Sequence, residues 1–110
     1  MLTASTNSWD GEANEVAYNT TKAGVLGILR TMANELGPYG IRLNAVCPGL
    51  IRTRLTTGIF GDPAALKEYF RHIPLGRAGE SEEIAAVFAF LASDEASYLT
   101  AQTLYACGGL

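Results

Sequence analysis

Apolar residues recur at spacings of three and four between Ala17 and Leu36. Val25, Leu26, Leu29, Met32, Ala33 and Leu36 fall on one stripe, which predicts a long amphipathic helix. Ahead of it, Met1-Leu-Thr-Ala4 reads as the end of a buried strand. Residues 5–14, rich in Ser, Asn, Asp and Gly, read as a loop. Gly37-Pro-Tyr-Gly40 stops the helix. A second strand is expected over Ile41 to Val46, ended by Cys47-Pro48-Gly49 because proline has no N–H for the ladder. A loop and a helix over Pro63 to Arg71 follow, with Asp62 as cap and Pro63 in the first turn. Ser81, followed by Glu82 and Glu83, predicts an N-cap hydroxyl with acids in the first turn. Ile84, Val87, Phe88 and Leu91 supply the apolar stripe of that helix, to about Ala92. Gln102 to Ala106 predicts a third strand closing at Gly108-Gly109. Gly24 and Gly27 each cost about 1 kcal/mol relative to alanine inside the first helix, which reads either as close approach of another helix or as ordinary tolerance.

Strand, helix, strand, helix, strand is the alternation of an α/β protein whose parallel sheet is covered by helices. The chain has 110 residues, 48% hydrophobic and 17% charged, a globular composition rather than a disordered one. A net charge of -3 leaves no basic footprint, so nucleic acid is not an expected partner. No stretch approaches the roughly 18 apolar residues that span a bilayer. The N-terminus lacks the basic and apolar regions of a secretory signal. Cys47 and Cys107 are too distant in sequence for a metal-type pair and read as reduced thiols; His72 is the only histidine, so no metal site is expected. A cytoplasmic location is the expectation from these features together.

Tyr18 and Lys22 lie four residues apart at the start of the long helix, which puts phenol and ammonium on one face. A phenol titrates near ~10 in water, and a neighbouring cation favours its ionised form. A tyrosine able to give or take a proton is what carbonyl and alcohol chemistry requires. Alone, this spacing also describes many solvated surface pairs. Ser5, thirteen residues before Tyr18, falls at the end of the first strand. Ligands of doubly wound sheets bind beyond the carboxyl ends of strands, and Ser5, Pro48-Gly49 and Gly108 all fall at such ends.

The run from Ala17 to Thr53, with Pro48-Gly49 and Ile51 near its end, resembles the short-chain dehydrogenase/reductase family. So do Pro74-Leu-Gly-Arg-Ala-Gly-Glu-Ser-Glu-Glu-Ile-Ala and the closing Gln102-Thr-Leu-Tyr-Ala-Cys-Gly-Gly. The resemblance implies the C-terminal part of a Rossmann-type doubly wound sheet: the end of strand five, then strands six and seven. It implies hydride transfer between NAD or NADP and a small-molecule carbonyl or secondary alcohol. Tyr18 would be the general acid/base, Lys22 would lower its pKa and bind the nicotinamide ribose, and Ser5 would hold the substrate oxygen. Ser8 is the alternative to Ser5. Pro48, Gly49, Ile51 and Thr53 would lie against the nicotinamide, with the Ile51 backbone on the carboxamide and the Thr53 hydroxyl adding a hydrogen bond.

Residues 54–72 would form the substrate lid, in which Leu55, Ile59, Phe60, Leu66, Tyr69 and Phe70 line a pocket or simply pack. Arg52 and Arg54 read first as solvated, with contact to an anionic substrate or a cofactor phosphate as the alternative. Asn44 reads as structural. Ala101 stands where the family commonly has glycine, and Cys107 where aspartate is common. The resemblance also implies a homo-oligomer, dimer or tetramer, through the long helix and the last helix and strand.

Neither G-x-x-x-G-x-G nor G-x-G-x-x-G occurs, although the family carries a Gly-rich phosphate turn in its first half. Residues 1–110 therefore read as a partial NAD(P)-binding domain without its N-terminal Gly-rich half, and the family's catalytic Asn falls outside them. A competing expectation follows: the isolated chain is inactive, or at most an association module.

Overall fold

Ala45, Val46 and Cys47 have no solvent exposure, and their alternating side chains set the architecture. Ala45 and Cys47 face one way, into a cluster with Leu26, Leu29, Ala33, Leu43 and Ala4. Val46 faces the other way, onto Leu91 and Ala96, with Ile84, Val87, Phe88 and Leu104 packed around it. A strand buried on both faces needs a helix on each side, and the chain provides them.

The structure, a computed structural model, describes all 110 residues. Strand β1 is Leu2–Thr3, and helix α1 is Val16–Leu36. Strand β2 is Ala45–Pro48, the short helix α2 is Thr57–Phe60, and α3 is Pro63–His72. Helix α4, Ser81–Ala92, precedes β3, Thr103–Ala106. The sheet order is β1-β2-β3, all parallel, with Leu2 opposite Ala45 and Cys47 opposite Tyr105. The α/β parallel arrangement expected from the sequence is what forms.

Several expectations are corrected. The second strand begins at Ala45, not Ile41, and Ile41 is half exposed. Residues 42–44 are instead tied down by other bonds. Arg42 donates to the carbonyls of Leu91 and Ser93 at the end of α4 and of Leu99 in the turn before β3, and Asn44 bridges Leu99 O and Gln102 N–H. Asn44 is thus structural, as read. Pro48 does not end the ladder: it pairs with Ala106, and the next N–H, from Gly49, bonds Ala106 O. Bonds to β3 come from Ala45 and Gly49 N–H. By alternation the proline's missing donor lies on the β1 side, where that strand has already finished.

The N-cap of α4 is Glu80 rather than Ser81, with Glu83 reaching back to the Glu80 N–H at 2.9 Å. Asp62 caps α3 as expected, accepting from the Ala64 and Ala65 N–H groups. Gly24 and Gly27 approach nothing: an added Cβ would meet no atom within 4 Å. In α1, Met32 is exposed while Leu26, Leu29 and Ala33 are buried. Arg52 is not simply solvated; its guanidinium stacks 4.2 Å from the Phe60 ring centre and pairs with Glu80 at 3.2 Å.

Candidate active site

The polar run between β1 and α1 is built rather than slack. Ser5, extended and buried, caps a 3-10 turn over Thr6–Ser8. Its Oγ accepts the Asn7 N–H at 3.2 Å, and its own N–H donates to Ser8 Oγ at 3.1 Å. Each Oγ accepts one backbone N–H, so both hydroxyl hydrogens remain free to donate; of the two serines, Ser5 lines the cleft that holds Tyr18 and Ser8 does not. Asn7 donates from Nδ2 to Glu15 (3.1 Å) and to Asn19 (3.2 Å), and Asn19 Nδ2 donates to Glu12 O. Gly11 and Asn14, both at positive φ, turn the chain so that this network closes. The result fixes the loop against the first turns of α1, where Tyr18 sits.

Ser5 and Tyr18 line one cleft of about 780 Å³. Tyr18 is 39% exposed, and its hydroxyl has no hydrogen-bond partner within the chain. Lys22 Nζ lies 5.7 Å from the Tyr18 ring centre and donates to Thr3 O at 3.0 Å. That bond uses one of three ammonium hydrogens and holds the charge beside the phenol. Gly49 lines the same cleft; its lack of a side chain is dictated by β3, since a Cβ there would come within 2.8 Å of Cys107 Cα and Cβ.

Pro48, Ile51 and Thr53 do not line that cleft; Pro48 is the last residue of β2, and Ile51 and Thr53 lie in the segment that follows it. Ile51 forms a parallel bridge with Gly79. Its N–H has no partner within the chain, and its carbonyl accepts the Thr56 hydroxyl at 2.6 Å. Thr56 Oγ1 also accepts the Thr53 N–H at 3.0 Å. The Ile51 side chain lines a separate, smaller cleft of about 230 Å³ with Val87, Tyr105 and Cys107. The unpaired Ile51 amide, the Thr53 hydroxyl (3.3 Å from Thr56 Oγ1) and the two free Lys22 hydrogens are donors of the kind that amide and ribose oxygens accept, which is compatible with a nicotinamide dinucleotide.

Four residues of this region have no site role assigned from the sequence. Thr56 fixes the Ile51–Thr53 loop; Glu12, Glu15 and Asp10 line the cleft. Their loop composition gives no sign of this; Glu15 is held by Asn7 and Glu12 by Tyr69, residues a local pattern does not link to them. Tyr69, on α3, crosses the cleft and donates to Glu12 at 3.0 Å. Burial first, and then the Glu12 carboxylate, push the Tyr69 phenol above its ordinary pKa. The other lid residues, Ile59, Phe60, Leu66 and Phe70, pack on Leu50, Ile73 and Ala78, while Leu55 is exposed.

The model of a family described as enoyl-(acyl carrier protein) reductase matches residues 1–110. The glucose 1-dehydrogenase of Gluconobacter oxydans is 45% identical over 95 residues, covering 86% of this chain and 36% of the relative. A candidate 2-deoxy-D-gluconate 3-dehydrogenase of Agrobacterium tumefaciens, solved with bound NADP, superposes with a TM-score of 0.95 at 38% identity, over 98% of this chain and 44% of that one. A 4-hydroxyisoleucine dehydrogenase complexed with NADH gives a TM-score of 0.96 at 30% identity, over 98% and 45%. The chain thus spans less than half the length of these relatives.

Proposed function

The chain belongs to the short-chain dehydrogenase/reductase family, and from that premise we propose that the protein carrying it is an oxidoreductase in which NAD or NADP gives or takes a hydride at a carbonyl or secondary alcohol carbon. Tyr18 is the general acid/base of this reading. The observation that carries it is the Tyr18 hydroxyl, unpartnered and facing the same cleft as Ser5, with the Lys22 ammonium held one turn away by Thr3 O.

In the reducing direction the Tyr18 hydroxyl passes its proton to the substrate oxygen; in the oxidising direction the phenolate takes it back. Lys22 places a positive charge one helical turn along, 5.7 Å from the Tyr18 ring centre. Ser5 Oγ accepts the Asn7 N–H, which leaves its hydroxyl hydrogen free to donate, and a donor to the substrate oxygen would stabilise developing alkoxide charge. The Ile51 amide, the Thr53 hydroxyl and Lys22 would hold the cofactor, with Pro48 and Gly49 shaping its bed. Both NAD and NADP suit these residues. Val16, Ile28 and Met32, exposed on α1 beside the open Gly24 and Gly27, are the surface a homo-oligomer would bury.

The test is Tyr18→Phe in the intact enzyme. General acid/base catalysis contributes about 10²–10⁴-fold, so kcat should fall by that factor with the fold unchanged. Undiminished turnover would remove Tyr18 from the chemistry.

A further inference from the structure

A threonine that precedes a helix ordinarily turns its hydroxyl onto the helix's own first amides. Thr56, the N-cap of α2, does not: its side chain bonds no amide of that helix. The hydroxyl reaches back along the chain instead. Oγ1 donates to Ile51 O at 2.6 Å, accepts the Thr53 N–H at 3.0 Å and lies 3.3 Å from Thr53 Oγ1. One side chain thus ties Ile51 to Thr53, and it lines the cleft that holds Ser5 and Tyr18.

Ile51 is held on its other edge by backbone alone. Gly79 N–H donates to Leu50 O at 3.0 Å and Arg52 N–H to Gly79 O at 2.9 Å, a parallel bridge centred on Ile51. The neighbours of the centred residue make these bonds, so the N–H and carbonyl of Ile51 itself point to the opposite side. A Cβ on Gly79 would meet Ile51 Cδ1 at 2.8 Å, so the bridged edge has no slack. On the opposite side Thr56 takes the carbonyl, and the Ile51 N–H is left without a partner in the chain. Both peptide planes that meet at Ile51 are therefore clamped, the first by Gly79 and the second between Gly79 and Thr56. We infer that Thr56 is a positioning residue for the dinucleotide: it ties up the Ile51 carbonyl and fixes the segment, so that the Ile51 amide is presented as a donor to the carboxamide oxygen of the nicotinamide. This deepens the oxidoreductase reading and rests on it.

The experiment measures affinity by titration calorimetry, with the intact enzyme, for NAD or NADP (whichever the parent binds) and for the thionicotinamide analogue of the same cofactor. The analogue replaces the carboxamide oxygen by sulfur, a weaker acceptor. The parent should bind the natural cofactor several-fold more tightly than the analogue. Thr56→Val, which removes the hydroxyl and keeps the shape, should weaken the natural cofactor by about tenfold and bring the ratio of the two affinities close to one. Thr56→Ser should keep most of both the affinity and the ratio. Thr57→Val is the control: it removes hydrogen bonds to the Thr53 and Arg54 carbonyls but none to Ile51, and should leave the ratio in place. If the valine variant does not fold, Thr56→Ala makes the same comparison. Equal weakening of both cofactors by loss of the Thr56 hydroxyl, no weakening of either, or an equal loss of the ratio in Thr57→Val overturns the inference and leaves the oxidoreductase reading standing. A parent enzyme that binds no nicotinamide dinucleotide retracts that reading and this inference with it.

Discussion

Ala101 has φ of +59°, a left-handed conformation that costs an L-residue about 1–2 kcal/mol. It is held there because its N–H donates to Leu43 O at 2.7 Å, closing the turn that leads into β3. Glycine takes this conformation freely, which accounts for the glycine the family commonly carries at this place. Ala101→Gly should therefore stabilise the protein by roughly 0.5–1 kcal/mol, after the greater chain entropy of unfolded glycine is subtracted. A urea midpoint that falls on this substitution would contradict the account. Gly49 is the reverse case: φ does not demand glycine there, but the contact with Cys107 does. Nothing local in the sequence separates these two reasons. Tyr18 and Lys22 are legible because one helical turn alone brings them together, whereas Glu15 is held by Asn7 and Glu12 by Tyr69.

Among the elements, α4 shows how a helix terminus ties to its surroundings. The Glu83 carboxylate accepts from the Glu80 N–H and forms a two-bonded pair with Arg77, at 2.6 and 2.8 Å. The Arg77 hydrogen bond first, then the Glu80 N–H, hold the Glu83 pKa down at about 2 from an ordinary 4.5. A carboxyl with a depressed folded-state pKa adds stability above its unfolded pKa, and that contribution is lost as pH falls through the folded value. The window is therefore from about pH 4.5 down to about 2. Glu83→Gln should melt lower than the parent above pH 4.5, with the two melting curves converging toward pH 2. A difference that is constant with pH would assign the effect to capping alone. The helix is evident from its apolar stripe, but its first residue is displaced by one. Ser81 looks like a cap in sequence; the return of Glu83 to Glu80 decides the boundary.

On the scale of the whole molecule, the Cα radius of gyration is 15.2 Å, against about 13 Å for a compact domain of this length. β1 pairs only with β2, which leaves its other edge unpaired, and 17 of 110 residues are buried. An open edge and an exposed apolar helix face favour association. The isolated 110 residues, purified alone, should self-associate in sedimentation velocity, less so with Ile28→Glu, and should show no micromolar binding of NADH. A monodisperse chain that binds NADH at micromolar concentration would refute this. No helix is long and apolar enough to cross a membrane. The sequence by itself determined the alternation of strands and helices, the parallel sheet and the Tyr18–Lys22 pair, because each follows from periodicity or from a single helical turn. The tertiary structure alone decided where β2 begins, why Gly49 lacks a side chain, and which carboxylates face the cleft. Those depend on groups far apart in the chain, brought together by Arg42, Cys107, Asn7 and Tyr69, and no local pattern encodes such meetings.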